Sequence, residues 1–172
     1  RVCAFLEPIA LYMTKDLHEP GDGGWLTEYP APDVAMELGE ERVYEPDATD
    51  LVVFTFGNGV PMSLRAARTI QARHGWRVRV VDLRWLVPLN EAAIVRHASE
   101  CARILVVDEG RRSAGVGEGI ITAIAEGGYR ARPFRRVVGA DTYTPLAGAA
   151  FLVIPSEDDI VAAADALAAD GG

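Results

Sequence analysis

Three short runs in this chain, residues 51–56, 78–83 and 104–108, are apolar at neighbouring positions rather than only at alternate ones. A strand with one face in water alternates. A strand covered on both faces has no need to, which is the pattern of parallel sheets flanked by helices. Two further strands are expected at residues 41–44 and 134–138. Helical patterns lie between them. Val60, Leu64, Ala67 and Ile70 share one face of a first helix, and Ile94, Val95, Ala98 and Cys101 one face of a second. Val116, Ile120, Ala123 and Ile124 do so in a third, and Ile160, Ala163, Ala164 and Leu167 in a last. Alternating strands and helices predict an α/β fold, a three-layer α/β/α sandwich around a five-stranded mixed, mostly parallel sheet. The link over residues 45–50 is too short for a helical crossover, so the strand near Arg42 is expected to run antiparallel to the others.

Two helix starts are chemically marked. Ser156 with Asp159 three residues on has the form of a capping box, and Glu157, Asp158 and Asp159 suit the positive end of a helix dipole. Asn90 can accept from the free amides of its own helix in the same way. Residues 15–33 change character, with Gly21-Asp22-Gly23-Gly24 and Pro30-Ala31-Pro32, and predict an extended surface connector. Trp25 and Tyr29 within it are expected to pin that connector to a surface.

A chain of 172 residues, 49% of them hydrophobic, supports one sizeable core with a tail. Its net charge of -8 argues against nucleic acid or an anionic membrane as partner. Arg130, Arg132, Arg135 and Arg136 form a local basic cluster, whose favoured reading is an exposed strand edge and solvated loop. Cys3 and Cys101 lie far apart without a metal or redox spacing, so free thiols are expected, Cys101 as a small buried hydrophobe. No apolar run approaches the ~20 residues of a membrane span and no signal peptide is recognisable, so a cytoplasmic location is expected. Residues 2–6 read as a short strand. Because the chain starts inside it, at Arg1, a piece of something longer is expected.

The stretch Val80-Val81-Asp82-Leu83-Arg84-Trp85-Leu86-Val87-Pro88-Leu89-Asn90-Glu91 resembles the strand-to-helix connection of the transketolase C-terminal domain family. It is most similar to the form in the beta subunit of the thiamine-diphosphate-dependent decarboxylating component of 2-oxo acid dehydrogenase complexes. The resemblance continues in order. Leu38-Gly39 with Arg42-Val43-Tyr44 looks like the domain's entry, and Asp50 to Gly57 like its first long strand. Val106-Val107-Asp108-Glu109-Gly110 through Ser113-Ala114-Gly115-Val116-Gly117 matches a later strand and glycine turn, and Pro155-Ser156-Glu157-Asp158-Asp159-Ile160 the start of the terminal helix. Phe5-Leu6-Glu7-Pro8 looks like the exit of a preceding pyrimidine-binding domain. This implies residues 1–14 as the end of that domain, 15–37 as linker and 38–172 as the C-terminal domain. Two features depart from the family: residues 15–33 are longer and richer in Gly and Pro, and Val116 stands where the family has an aromatic.

The resemblance implies that the intact parent performs oxidative decarboxylation of a 2-oxo acid, pyruvate or a branched-chain substrate, with acyl transfer to lipoyl groups. Thiamine diphosphate and Mg²⁺ would sit between two other domains. The C-terminal domain would support assembly as a homodimer, contact its own missing domains or an alpha subunit, and dock the lipoyl-bearing acyltransferase component. This piece would have no catalytic, cofactor-binding or metal-binding residue of its own and would be inactive alone. Gly21-Asp22-Gly23 is a superficial match to a diphosphate motif, because no buried strand precedes it. Alternatives are the equivalent domain of a transketolase or deoxyxylulose-phosphate synthase, or a stand-alone module binding a nucleotide or other anion at its glycine clusters.

Of those clusters, Gly57-Asn58-Gly59 lacks the remaining residues of a nucleotide loop and reads as a tight turn. Gly115-Val116-Gly117-Glu118-Gly119 opens a helix, where glycines permit close approach of a neighbour; an interface is the favoured reading. Asp108-Glu109 with Arg111-Arg112 follows a strand at the end of the sheet where open α/β folds carry function. A subunit interface is therefore expected at Glu109, Arg111, Arg112, Gly115, Val116, Gly117 and Glu118. Asp82 and Arg84 are expected in a structural network. His18, His74 and His97 share no ligand or triad spacing and read as surface or helix residues.

Overall fold

The computed structural model describes residues 2–170. Five strands form one sheet: β1 (Arg42–Tyr44), β2 (Leu51–Thr55), β3 (Val78–Asp82), β4 (Arg103–Arg111) and β5 (Phe134–Gly139). Their order is β1-β3-β2-β4-β5; β1 is antiparallel to β3 and every other pairing is parallel, as the sequence predicts. Four helices connect and cover them: α1 (Gly59–His74), α2 (Glu91–Glu100), α3 (Val116–Ile124) and α4 (Glu157–Ala169).

The continuous apolar runs have the cause inferred for them. Along β2, Leu51 and Val53 enter a core shared with Ile70 of α1 and Ile160 and Leu167 of α4. Val52 and Phe54 enter a second core on the other face, with Ile94 of α2 and Ile120 of α3. Each fully buried Leu, Ile, Val or Phe contributes about 1.5–3 kcal/mol relative to exposure.

The connection after β3 is tied down locally. Asp82 Oδ1 accepts from the Arg84 N–H at 3.2 Å, and Arg84 has a left-handed φ of 54°. Its guanidinium lies 3.8 Å from Glu40. Asn90 accepts from the Ala93 N–H at 3.1 Å and donates to the Gly39 carbonyl at 2.9 Å, so it both caps α2 and fastens the chain's entry to the sheet. The α4 capping box is complete, with Ser156 and Asp159 each accepting the other's backbone N–H.

Residues 2–6 do not form the expected strand; Arg1 lies outside the described residues. Val2, Phe5 and Leu6 are more than three-quarters exposed. An apolar β-prone run becomes a strand only where a partner accepts its backbone hydrogen bonds, and no strand of the sheet pairs with it. The connector is also more ordered than expected. Asp22 accepts four backbone N–H groups, from Leu17 at 2.9 Å, His18 at 2.8 Å, Glu19 at 2.9 Å and Gly24 at 2.8 Å. These bonds hold its carboxyl well below the usual carboxylate range.

Candidate functional site

β2 leads through α1 to β3 on one side, while β4 leads through α3 to β5 on the other. The connections after β2 and β4 therefore diverge, leaving the switch point where open α/β sheets place their sites. Two residues meet there: Asn58 Nδ2, before α1, donates to Glu109 Oε2 on β4 at 3.0 Å. Burial pushes the Glu109 carboxyl above the usual range, against the Asn58 hydrogen bond and with the charge of Asp108 adding to the rise.

Asp108 organises the rest. It is 2% exposed, and its register with Val138 breaks immediately afterwards, where Arg111 rather than the next residue pairs with Gly139. Its Oδ1 accepts from the Gly110 N–H at 2.7 Å and its Oδ2 from the Gly117 N–H at 2.8 Å. One carboxylate thus closes the bulge in β4 and fastens the first turn of α3. A Cβ on Gly115 would stand 2.8 Å from both Arg111 O and Asp108 Oδ2. The neighbour these glycines admit is this chain's own loop.

The residues expected at an interface fall into two groups. Gly115, Gly117 and Val116 are engaged internally, Val116 being half-buried against the core under α2 and α3. Glu118 accepts from the Ala114 N–H at 3.0 Å. Glu109 is half-buried at the switch point, whereas Arg111 and Arg112 are exposed. The side chain of Asp141 accepts from Ser113 N–H at 2.8 Å and Ser113 Oγ at 2.6 Å, joining this loop to the one after β5.

Between those loops runs a groove of about 410 Å³, bordered by Glu109, Arg111, Tyr143, Thr144, Val153 and Ile154. Tyr143 on its border, and Leu146, Phe151 and Leu152 in the segment that leads from it to Val153, are 78–91% exposed. Sequence reasoning missed this exposed apolar segment, because apolar residues in a loop read as ordinary and their exposure is visible only in the fold.

The glycine turn at Gly57 is a tight strand-to-helix turn, with φ 57° at Gly57 and the Gly59 N–H donating to Phe56 O at 3.1 Å. A Cβ on Gly59 would stand 2.0 Å from Thr55 Oγ1, so the Thr55 hydroxyl occupies that space. An anion there would also face the Glu109 carboxylate. Among the described residues no group of three His, Cys, Asp or Glu is placed to hold a metal, and no helix is long and apolar enough to cross a membrane. Asp22, with both oxygens engaged by its own turn, does not fit a Mg²⁺–diphosphate ligand.

One polar cluster eluded the sequence. Arg79, 3% exposed, donates to the Ala48 carbonyl at 3.1 Å, to His97 Nδ1 at 3.0 Å and to Glu100. His97 Nε2 lies 3.3 Å from Glu41. His97 is the expected helix residue, on α2, but a buried one, against Arg79 of β3 and Phe54 of β2. His18 and His74 are partly exposed, His74 bonded to Asp165 at 2.7 Å.

Comparison with known proteins agrees with this architecture. Residues 40–160 match the family model described as transketolase, C-terminal domain. The chain is 30% identical over 136 residues to a pyruvate dehydrogenase E1 component subunit beta of Staphylococcus aureus, covering 78% of this chain and 41% of that protein. It is 32% identical over 166 residues to a 3-methyl-2-oxobutanoate dehydrogenase subunit beta of Mycobacterium tuberculosis, covering 83% and 48%. A solved split-gene transketolase, described as an inactive beta4 tetramer, shares the fold with a TM-score of 0.68 at 22% identity, covering 83% of this chain and 45% of that one. The chain spans less than half the length of the curated relatives it matches. With the sheet order, the antiparallel β1 and the matched residues in agreement, the chain belongs to the transketolase C-terminal domain family.

Proposed function

We propose that this chain is the C-terminal assembly and partner-docking domain of a 2-oxo acid dehydrogenase decarboxylating component. The parent decarboxylates a 2-oxo acid with thiamine diphosphate and Mg²⁺ held in its other domains or subunit, and passes the acyl group to lipoyl groups of an acyltransferase. The observation that carries this reading is the exposed apolar segment with Tyr143, Leu146, Phe151 and Leu152 at the carboxyl end of the sheet. Side chains of that size, left in water together beside a groove, mark a protein-contact face. Arg111 and Glu109 border the same face, which a second copy or the remainder of the parent would cover.

The test uses the longer protein that carries this sequence, with any separate alpha subunit, thiamine diphosphate and Mg²⁺. Pyruvate, 3-methyl-2-oxobutanoate and ketose phosphates are offered with an artificial electron acceptor. Turnover of a 2-oxo acid, lost when the double variant Phe151→Asp/Leu152→Asp prevents assembly, supports the reading. Turnover of ketose phosphates alone, or full assembly of the double variant, overturns it.

A further inference from the structure

Among the described residues β5 is an edge strand, paired only with β4. Pro133 O accepts from the Ile104 N–H at 3.0 Å, so that residue's backbone faces β4. Backbone direction alternates along a strand, which turns the N–H and C=O of Phe134, Arg136 and Val138 to the free edge. The position of Phe134 O agrees: it accepts from Arg135 Nη1 at 3.0 Å. Ala140 N–H, next in that series, is already taken by Val153 O at 2.9 Å. The free edge therefore spans Phe134 to Val138.

A groove of about 460 Å³ follows this edge, and Arg112, Arg132, Arg135 and Arg136 all line it. Their nearby partners do not balance them. Arg135 meets Asp170, and Arg136 is 4.0 Å from Glu118; among the described residues no carboxylate pairs with Arg112 or Arg132. Asp141 lies within Coulombic reach of Arg112 but is bonded to Ser113. A positive surplus on a chain of net charge -8 is a local departure.

We propose that this edge is a docking site for an extended acidic segment of a partner protein, added to the sheet as a sixth strand. Arg135 and Arg136 are consecutive in a strand and leave it on opposite faces of the sheet, so although both border the groove, one compact anion cannot follow both faces of the edge. An extended peptide can, because its own successive side chains also alternate between faces. Main-chain bonds to Arg136 and Val138, joined by Phe134 O when an acidic side chain draws the Arg135 guanidinium off it, give affinity, and acidic side chains on either face give selectivity. The exposed ring of Phe134 supplies an apolar contact at one end. The site is separate from the exposed apolar segment of the proposed assembly face and stands whether or not that reading holds.

The test measures binding of a fluorescent peptide of alternating Glu and Thr to the full chain, beside its Lys–Thr counterpart, inorganic phosphate and a single-stranded oligonucleotide. The Glu–Thr peptide should bind, weaken with added salt and outcompete the others. Arg112→Glu/Arg136→Glu should weaken it about tenfold or more, as reversal of two exposed charges implies. Val138→Pro removes an outward N–H, which an edge strand tolerates; it should abolish binding while circular dichroism and Tm stay near wild type. Equal binding by the Lys–Thr peptide, no effect of the double charge reversal, or preference for phosphate or the oligonucleotide overturns the proposal. Should Val138→Pro fail to fold, the charge reversal decides.

Discussion

The Arg79 guanidinium, on β3, donates to Nδ1 of His97, on α2, across 3.0 Å. Arginine has no acceptor, so Nδ1 accepts; Nε2 lies between the Arg96 guanidinium at 3.1 Å and Glu41 Oε1 at 3.3 Å. Burial holds the imidazole below its ordinary value of 6.5, with the Arg96 and Arg79 charges adding to this and Glu41 opposing. The unfolded chain therefore binds a proton that the folded chain refuses. Stability should be full above pH 6.5 and decline as the pH falls below it towards the depressed folded value. Urea unfolding between neutral and acid pH should show this slope in wild type and a smaller one in His97→Gln.

Arg79→Ala should be among the most damaging single changes. It leaves the buried His97 Nδ1 without a donor and the Ala48 carbonyl with only the long Cys101 Sγ contact, a loss of about 1–3 kcal/mol for the unsatisfied buried groups, while the exposed Glu100 returns to water. Chemical denaturation of the purified variant measures it. Arg79→Lys should recover only part, because an ammonium cannot reproduce the planar fork.

Gly115→Ala should destabilise by about 2 kcal/mol, since the new methyl would press on the Arg111 backbone and the Asp108 carboxylate, and overpacking costs about 1–3 kcal/mol. Asp108→Asn should cost a similar amount, as one amide face would meet a backbone N–H it cannot accept. Thermal unfolding of both variants tests whether these glycines serve the chain's own loop. A wild-type Tm for Gly115→Ala would contradict it.

Much of the fold was legible because its causes are local. Two-sided burial leaves unbroken apolar runs, as at Leu51 to Phe54, and caps such as Asn90 and Ser156 are written beside the helices they start. Pairing is not local. Residues 2–6 have the composition of a strand and no partner, and Arg79 and His97 are 18 residues apart with nothing in their spacing to join them. At the candidate site, Asp108 and Glu109 were visible as carboxylates after a strand. That Asp108 spends both oxygens on Gly110 and Gly117 depends on the bulge, which only the register of β4 against β5 defines.

Glu109 is held above the usual carboxylate range by burial, so its ionisation at neutral pH opposes folding. The sign follows: the group's favourable contribution is full below its unfolded value and is lost as the pH rises through the folded one. Glu109→Gln keeps an acceptor for Asn58 and removes that charge. Its Tm should exceed wild type at neutral pH, and the difference should shrink in acid.

The proposed assembly face lies at the carboxyl end of this sheet. Sedimentation velocity of the chain at ~100 μM, where micromolar dimers persist, tests it most directly. The expected result is a self-associated species that Phe151→Asp/Leu152→Asp converts to a folded monomer, since an unpaired charge is costly in a buried contact and harmless in water. A wild-type chain that sediments as a monomer, or a double variant that associates as wild type does, would contradict it.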